Sequence, residues 1–417
     1  MMAQPRWRLL GFLCLAAALN YADRAAFSSV LAPLRTDLGL SDTALGLLSS
    51  LFLWSYALAS LAAGMLADRY SRSLLVLVSL VCWSLVTVLT GLANGLIMLA
   101  TLRIALGLAE SLYLPAAIAL LADHHGPRTR GRAMGLHSVA LNFGVVVGGA
   151  LAGYAADHYG WRVGFFVLGS AGMAMVLGTR WAFPAAAANV TAIQRPALAE
   201  VGRYLARVPT FHLLLLKNMF GGFAVWIFLN WLPLYFREMF NLTLGSAGFT
   251  GTFALQVSYV IGLAAGGWIS DALAASDARR RMLILAVCHL ASSPILLMFL
   301  GGPGLGVTAA IIAAFSLLQG LGDASEKPAL CEIIPANYRS TALGIMNACA
   351  TATGGLGVFL VGFLKSSFSL NTMFAGLSAV LFCAGLAALF SHRFFMARDM
   401  VRAQERAAAL DERSEGH

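Results

Sequence analysis

Charge is what this 417-residue sequence lacks most: only 11% of its residues are Asp, Glu, Lys or Arg. A soluble globular chain carries roughly 25%, because water-facing surface must be covered by solvated groups, so a water-soluble enzyme is excluded. Lysine is nearly absent, with Lys217, Lys327 and Lys365 alone among the 28 basic residues. The six cysteines (14, 82, 288, 331, 349 and 383) fall in apolar stretches without metal-type spacing, so neither a zinc site nor a disulfide framework is expected. No Gly-rich phosphate loop, HExxH or GxSxG pattern occurs, so no catalytic residues, no metal, no cofactor and no ATP-driven pump are expected. What the sequence does hold is 59% hydrophobic residues, 42 glycines and a mean hydropathy of +0.78. That composition describes an integral membrane protein whose small residues let helices pack closely in lipid.

A spanning helix needs about 20 apolar residues. Such runs are expected near residues 9–33, 44–66, 74–94, 97–121, 133–156 and 162–183. A second set follows near 211–235, 246–270, 283–301, 307–331, 341–364 and 371–391. Arg6-Trp7-Arg8 ahead of the first run has the form of a secretory signal. The run continues, however, through Asn20-Tyr21-Ala22-Asp23-Arg24 to Val30, with no polar mature domain behind it.

The net charge of +9 is at first sight a cue for nucleic acid or anionic lipid. Placed on the twelve spans, about 20 of the 28 bases fall on one side, which the positive-inside rule makes cytoplasmic along with both termini. Arg35, Arg162, Arg237 and Lys365 fall on the other face. The charge therefore reports orientation in a plasma (inner) membrane, and no nucleic-acid partner is expected. Four regions are expected: an N-terminal six-helix bundle (1–183), a cytoplasmic linker (184–208), a C-terminal six-helix bundle (209–392) and a cytoplasmic basic tail (393–417). The tail is either a short helix lying on anionic lipid or a disordered, solvated segment.

The two halves repeat. Gly64-Met-Leu-Ala-Asp68 closes span two and Gly267-Trp-Ile-Ser-Asp271 closes span eight; arginines follow each. Arg130-Gly-Arg-Ala-Met-Gly135 precedes span five as Arg339-Ser-Thr-Ala-Leu-Gly344 precedes span eleven. Gly107-Leu-Ala-Glu110 with Pro115-Ala116 in span four matches Gly320-Leu-Gly-Asp323 with Pro328-Ala329 in span ten. These echoes imply duplication of a six-helix unit, an arrangement of two like-oriented halves found in one large class of transporters.

With these features, the whole chain resembles the major facilitator superfamily. The loop Gly64-x-x-x-Asp68-Arg69-x-x-Arg72 is similar to that family's signature between spans two and three. There the acid caps or pairs across the half-domain interface, which implies gating roles for Gly64, Asp68, Arg69, Arg72 and, in the weaker second copy, Asp271. Asn20-Tyr21-Ala22-Asp23-Arg24, with Arg103 and Glu110 in span four, resembles the anion:cation symporters. Span ten into eleven (Lys327-Pro328-Ala329-Leu330, Gly344-Ile345-Met346-Asn347, Gly354-Gly355) resembles that family's bacterial members. The resemblance implies symport of an organic anion such as a sugar acid with protons. Spinster-type transporters of lysolipids and sphingolipids share Asp23-Arg24, Arg103, Glu110 and the stretch from Asp37 to Gly46. The first half does not separate the two families.

A charge at bilayer depth costs several kcal/mol, so it is paired or faces a wet cavity. Four acids (Asp23, Glu110, Asp323 and Glu326) and four bases (Arg24, Arg103, Lys217 and Lys327) lie within or near the spans. Proton coupling needs a carboxyl whose proton affinity depends on its cationic neighbour, which nominates Glu110, then Asp23 and, by duplication, Asp323. The alternative is a static ion pair. Arg24 and Arg103 offer forked donors to an anion, although Arg103 can instead snorkel to the interface. Tyr21 and Asn20 stand beside Arg24. Asn230, Gln256, Tyr259 and Asn347 complete the expected substrate-binding set, while His137 is expected at the interface. Lys217 reads as an interfacial anchor, and Asp323 and Lys327 have the spacing of an i,i+4 pair. The expected partners are a small organic anion, protons and the lipid bilayer, and the expected assembly is a monomer.

Overall fold

The computed structural model describes residues 5–183 and 198–415. All regular structure in these residues is helical. Twelve helical stretches are long and apolar enough to cross a membrane: Arg6–Ser29, Asp42–Gly64, Arg72–Gly91, Leu96–His124, Thr129–His158, Trp161–Thr179, Pro209–Phe240, Leu244–Ala274, Arg280–Gly301, Leu305–Ile333, Ala336–Leu364 and Leu370–Phe394. Each falls on an expected run. Helices are the economical answer in lipid, because each backbone N–H and C=O must find its partner within the segment.

The helices are α1 (Pro5–Ser29), α2 (Leu31–Asp37), α3 (Asp42–Arg69), α4 (Arg72–Gly91), α5 (Leu96–Ser111), α6 (Tyr113–His124), α7 (Pro127–His158) and α8 (Trp161–Ala182). After the linker come α9 (Leu198–Leu205), α10 (Pro209–Phe240), α11 (Leu244–Ala274), α12 (Arg280–Leu296), α13 (Leu305–Asp323) and α14 (Glu326–Ile333). The last three are α15 (Arg339–Leu364), α16 (Leu370–Phe394) and α17 (Met396–Glu415).

Spans four and ten are both interrupted, α5/α6 at Leu112 and α13/α14 at Ala324–Ser325. The cause is the duplicated proline. Pro115 and Pro328 have no N–H for the carbonyl four residues back, and their rings clash with it. Those carbonyls belong to Ser111 and Ala324, at the two breaks. Glu110 and Asp323 therefore each sit in the last turn before an interruption.

By internal packing the chain groups into two units. Unit 1 holds residues 1–192 with 225–256 and 354–368; unit 2 holds 193–224, 257–353 and 369–417. In unit 1, α1 packs most extensively on α7, α4 on α8 and α3 on α5. The α1–α7 seam is a Gly-x-x-x-Gly contact: a methyl at Gly144 or Gly148 would strike the backbone of Ala18 or Ala22. That close approach fixes the segment from Asn20 to Arg24 against α7. In unit 2, α12 packs on α16, and Met282, Leu285, Leu330, Tyr338 and Met396 belong to one buried apolar cluster.

Helix α9 lies within the expected linker, and α17 occupies most of the expected tail. Met396 and Asp399 are fully buried, and Asp399 Oδ2 accepts from the Thr210 backbone N–H at 2.9 Å. A carboxylate at the first turn of α10 satisfies an orphan donor and complements the helix dipole. Arg406 Nη2 reaches Glu200 Oε1 at 2.6 Å. The tail helix is thus docked on unit 2 through both charge and apolar contacts.

Candidate functional site

In unit 1 the charged residues of spans one and four converge. Arg24 Nε donates to Glu110 Oε2 at 2.7 Å, and Arg24 Nη2 donates to Asn20 Oδ1 at 3.2 Å. The Arg24 guanidinium lies 4.5 Å from the ring centres of Tyr21 and Tyr56, whose π faces favour the cation. Glu110 has no exposure at all and Asp23 only 2%. Asp23 Oδ2 accepts from the Thr87 hydroxyl at 3.0 Å, while its Oδ1 is buried with no hydrogen-bond partner among the described residues.

Arg103 does not snorkel. It is 3% exposed, with its guanidinium 4.1 Å from the Phe27 ring and 4.7 Å from the Phe52 ring. Its Nε donates to the Leu48 carbonyl at 3.3 Å. Among the described residues it makes no ion pair, and its two terminal nitrogens have no hydrogen-bond partner. Tyr21, Arg24, Ser49, Arg103, Trp226 and Asn230 all line one cavity of about 30 Å³, room for roughly two waters. Of the two candidate anion binders, Arg24 is engaged and Arg103 has a free fork.

Unit 2 carries a counterpart. Lys217 Nζ donates to Asp323 Oδ1 at 2.7 Å and to Glu326 Oε2 at 2.6 Å, and Asn218 Nδ2 donates to Glu326 Oε1 at 2.6 Å. The Tyr259 hydroxyl donates to Asp323 Oδ2 at 3.4 Å. Two readings from sequence are corrected here. Lys217 is 2% exposed, so it is a buried ion-pair partner rather than an interfacial anchor. Lys327 is exposed and pairs with neither acid, because the break at Ala324–Ser325 destroys the i,i+4 register with Asp323.

The profile described as Major Facilitator Superfamily matches residues 13–275. The chain belongs to that superfamily. It is 29% identical over 403 residues, 91% of this chain and 93% of the relative, to the hexuronate transporter of Bacillus subtilis (strain 168). It is 27% identical over 407 residues to a probable sulfoacetate transporter of Cupriavidus necator, covering 93% and 94% of the two chains. Among solved structures it is similar to a bacterial homolog of the human lysosomal transporter Spinster, in an inward-facing, unoccupied conformation. The TM-score is 0.76 at 20% identity, over 97% of this chain and 99% of that one, a likeness of fold. The protein is therefore a major facilitator transporter and an integral, multi-pass membrane protein, not an enzyme.

The remaining expected residues are spread over the transporter. Asn230 Nδ2 bonds the Trp226 carbonyl one turn back at 3.0 Å. Gln256 is buried on α11 in unit 1, whereas Asn347 is exposed on α15 in unit 2. His137, expected at the interface, is instead 2% exposed and 3.0 Å from the Tyr113 hydroxyl, which itself donates to the Leu13 carbonyl at 2.6 Å. Of the gating set, the side chains of Asp68 and Arg69 lie outside the described residues. Gly64 has open space around it, Arg72 pairs with Asp123, and Asp271 pairs with Arg281 at 3.0 Å.

Sequence reasoning missed a second charged cluster in unit 1. Arg35 Nη1 lies 3.2 Å from Asp42 Oδ1 and 2.9 Å from Glu238 Oε1. Lys365 Nζ lies 3.1 Å from Asp42 Oδ2 and 3.0 Å from that same Glu238 oxygen. This ring joins α2 and the start of α3 to the ends of α10 and α15. Nearby in sequence, Asp37 accepts from Trp161 Nε1 at 2.9 Å and Arg162 Nη1 at 2.5 Å. Those two hydrogen bonds hold its carboxyl below the usual carboxylate range. Tyr56 was also missed. A signal existed for it: it stands 203 residues before Tyr259, the offset separating Gly64 from Gly267.

Proposed function

We propose that this transporter carries a small organic anion together with a proton by alternating access, in a plasma (inner) membrane with both termini cytoplasmic. The observation that carries the reading is the charge balance around Arg103. Asp23 and Glu110 oppose Arg24 and Arg103, so the empty site is neutral when all four are ionised. A monoanion held by the Arg103 fork makes the site negative, and one proton on Asp23 or Glu110 restores neutrality. An uncompensated buried charge costs several kcal/mol. The empty site and the site loaded with both ions are therefore the forms that cross, while the half-loaded forms are penalised. Coupling then follows from electrostatics. The orphan Oδ1 of Asp23 is a ready proton acceptor. Glu110 becomes a second one when an incoming carboxylate competes for Arg24. Asn20 and Tyr21 orient Arg24, and Asp323 in unit 2 is the duplicated candidate for proton exchange.

The relatives support the anion class: they include a hexuronate transporter and a probable L-galactonate transporter. A lysolipid reading is supported by likeness of fold alone. Uptake into proteoliposomes, with radiolabelled organic acids and lysophospholipids in parallel, tests both. An acid-outside pH gradient is expected to accelerate acid uptake, and a membrane potential is expected to leave monoanion uptake unchanged. Arg103→Lys keeps the charge but loses the fork, so KM should rise by roughly tenfold or more. Lysolipid movement without acid uptake would overturn the proposal.

A further inference from the structure

We infer that the substrate is a monocarboxylate with a flat, apolar body, an aromatic acid rather than a polyhydroxylated sugar acid. The inference rests on the anion reading above and concerns the side chains around the anion site, whose cavity of about 30 Å³ must widen in the transport cycle to admit the acid. At one end of the cavity stand Arg24 and Arg103, with Phe52 between them at 5.2 and 4.7 Å from the two guanidinium centres. The rest of the lining is dominated by Leu53, Val145, Trp226 and Leu229. Trp226 packs on the backbone of α15: Gly354 leaves no room for a β-carbon because the indole lies against it. Val145 sits on the tight α1–α7 seam, between Gly144 and Gly148.

Hydroxyl recognition needs polar partners, and once the two arginines serve the carboxylate three uncharged ones remain in the lining. Ser49, Tyr21 and Asn230 are the uncharged polar residues of the lining, and one of the two Asn230 amide N–H groups already serves the Trp226 carbonyl. A hexuronate brings several hydroxyls, each of which loses its water on entry and needs a replacement bond. An aromatic ring brings none and gains stacking against Trp226. The anionic head is common to both classes, so the body decides between them.

The test is competitive uptake by the full-length protein in proteoliposomes, with phenylacetate and benzoate set against glucuronate and galacturonate under one pH gradient. The aromatic acids are expected to exceed the hexuronates in kcat/KM by roughly tenfold to a hundredfold, the span that single missing or added groups produce in a binding pocket. Trp226→Ala should reduce that ratio. Because Trp226 also packs on Gly354, Leu229→Gln gives an independent check, adding a polar partner and shifting preference toward hexuronates. Equal or faster uptake of glucuronate by the unaltered protein overturns the inference while leaving anion transport standing. If no acid of either class moves, the anion reading fails, and this inference with it.

Discussion

Arg24 holds Glu110 across 2.7 Å, so among the described residues the ion pair between span one and span four is made by two side chains that are 9% and 0% exposed. Removing one member of such a pair strands the other. Glu110→Ala is expected to cost roughly 3–5 kcal/mol, read as a lower melting temperature in detergent. Glu110→Gln keeps an acceptor for Arg24 and should melt closer to the unaltered protein, yet lose acceleration of uptake by a pH gradient. Full gradient-driven uptake by folded Glu110→Gln would make the pair a static tie.

Lys217 serves two carboxylates at once. Lys217→Met should therefore destabilise more than Asp323→Asn, which leaves the Lys217–Glu326 contact intact. The expected loss is again roughly 3–5 kcal/mol, because both acids lose their cation. Neutralising the acids as well, with Asp323→Asn and Glu326→Gln in the Lys217→Met background, should recover part of it. A triple variant no more stable than Lys217→Met would exclude this electrostatic origin.

The ring of Arg35, Asp42, Glu238 and Lys365 has side chains 10–34% exposed, so solvent screens each contact and it is worth little alone. Its role is to tie together the ends of separate spans. Lys365→Glu places three acids around Arg35 and should alter transport rate more than stability. Adding Glu238→Lys exchanges the two charges and should restore the rate. Failure of the double variant to recover, with both proteins folded, would show that the pairing does not control the transport step.

Asp37 provides a pH signature outside the membrane. Its carboxyl is held below the ordinary range by Trp161 and Arg162, so it stabilises the fold above the unfolded value of about 4 and loses that contribution as pH falls through the folded value. Asp37→Asn should melt lower than the parent at pH 7, and the difference should close below about pH 4. A difference that persists there would point to packing, not charge.

How much of this was legible in the sequence follows from how far each signal reaches along the chain. The spans, the duplication and the pairing candidates Asp23, Arg24, Arg103 and Glu110 depend on local runs and offsets, and the structure places each of these residues in or beside one buried cluster. Contacts between distant spans leave no such mark. Lys217 was misread because its partners lie more than a hundred residues away, and Lys327 because local spacing assumed an unbroken helix. The break itself was available, since Pro115 and Pro328 were both in view. His137 was misplaced because position along a span does not report which face is covered. In the cavity, sequence cannot say which of Arg24 and Arg103 is already occupied by a carboxylate.

Asp399 also orders events in time. The N-terminus of α10 waits for a cap supplied 189 residues later. Unit 1 likewise waits for residues 354–368, where the Val358 carbonyl accepts from Trp231 Nε1 at 3.2 Å. During synthesis the first half leaves the ribosome well before either requirement can be met, since domains emerge in chain order at roughly 5–20 residues per second. Neither unit can therefore finish folding until those later residues have emerged.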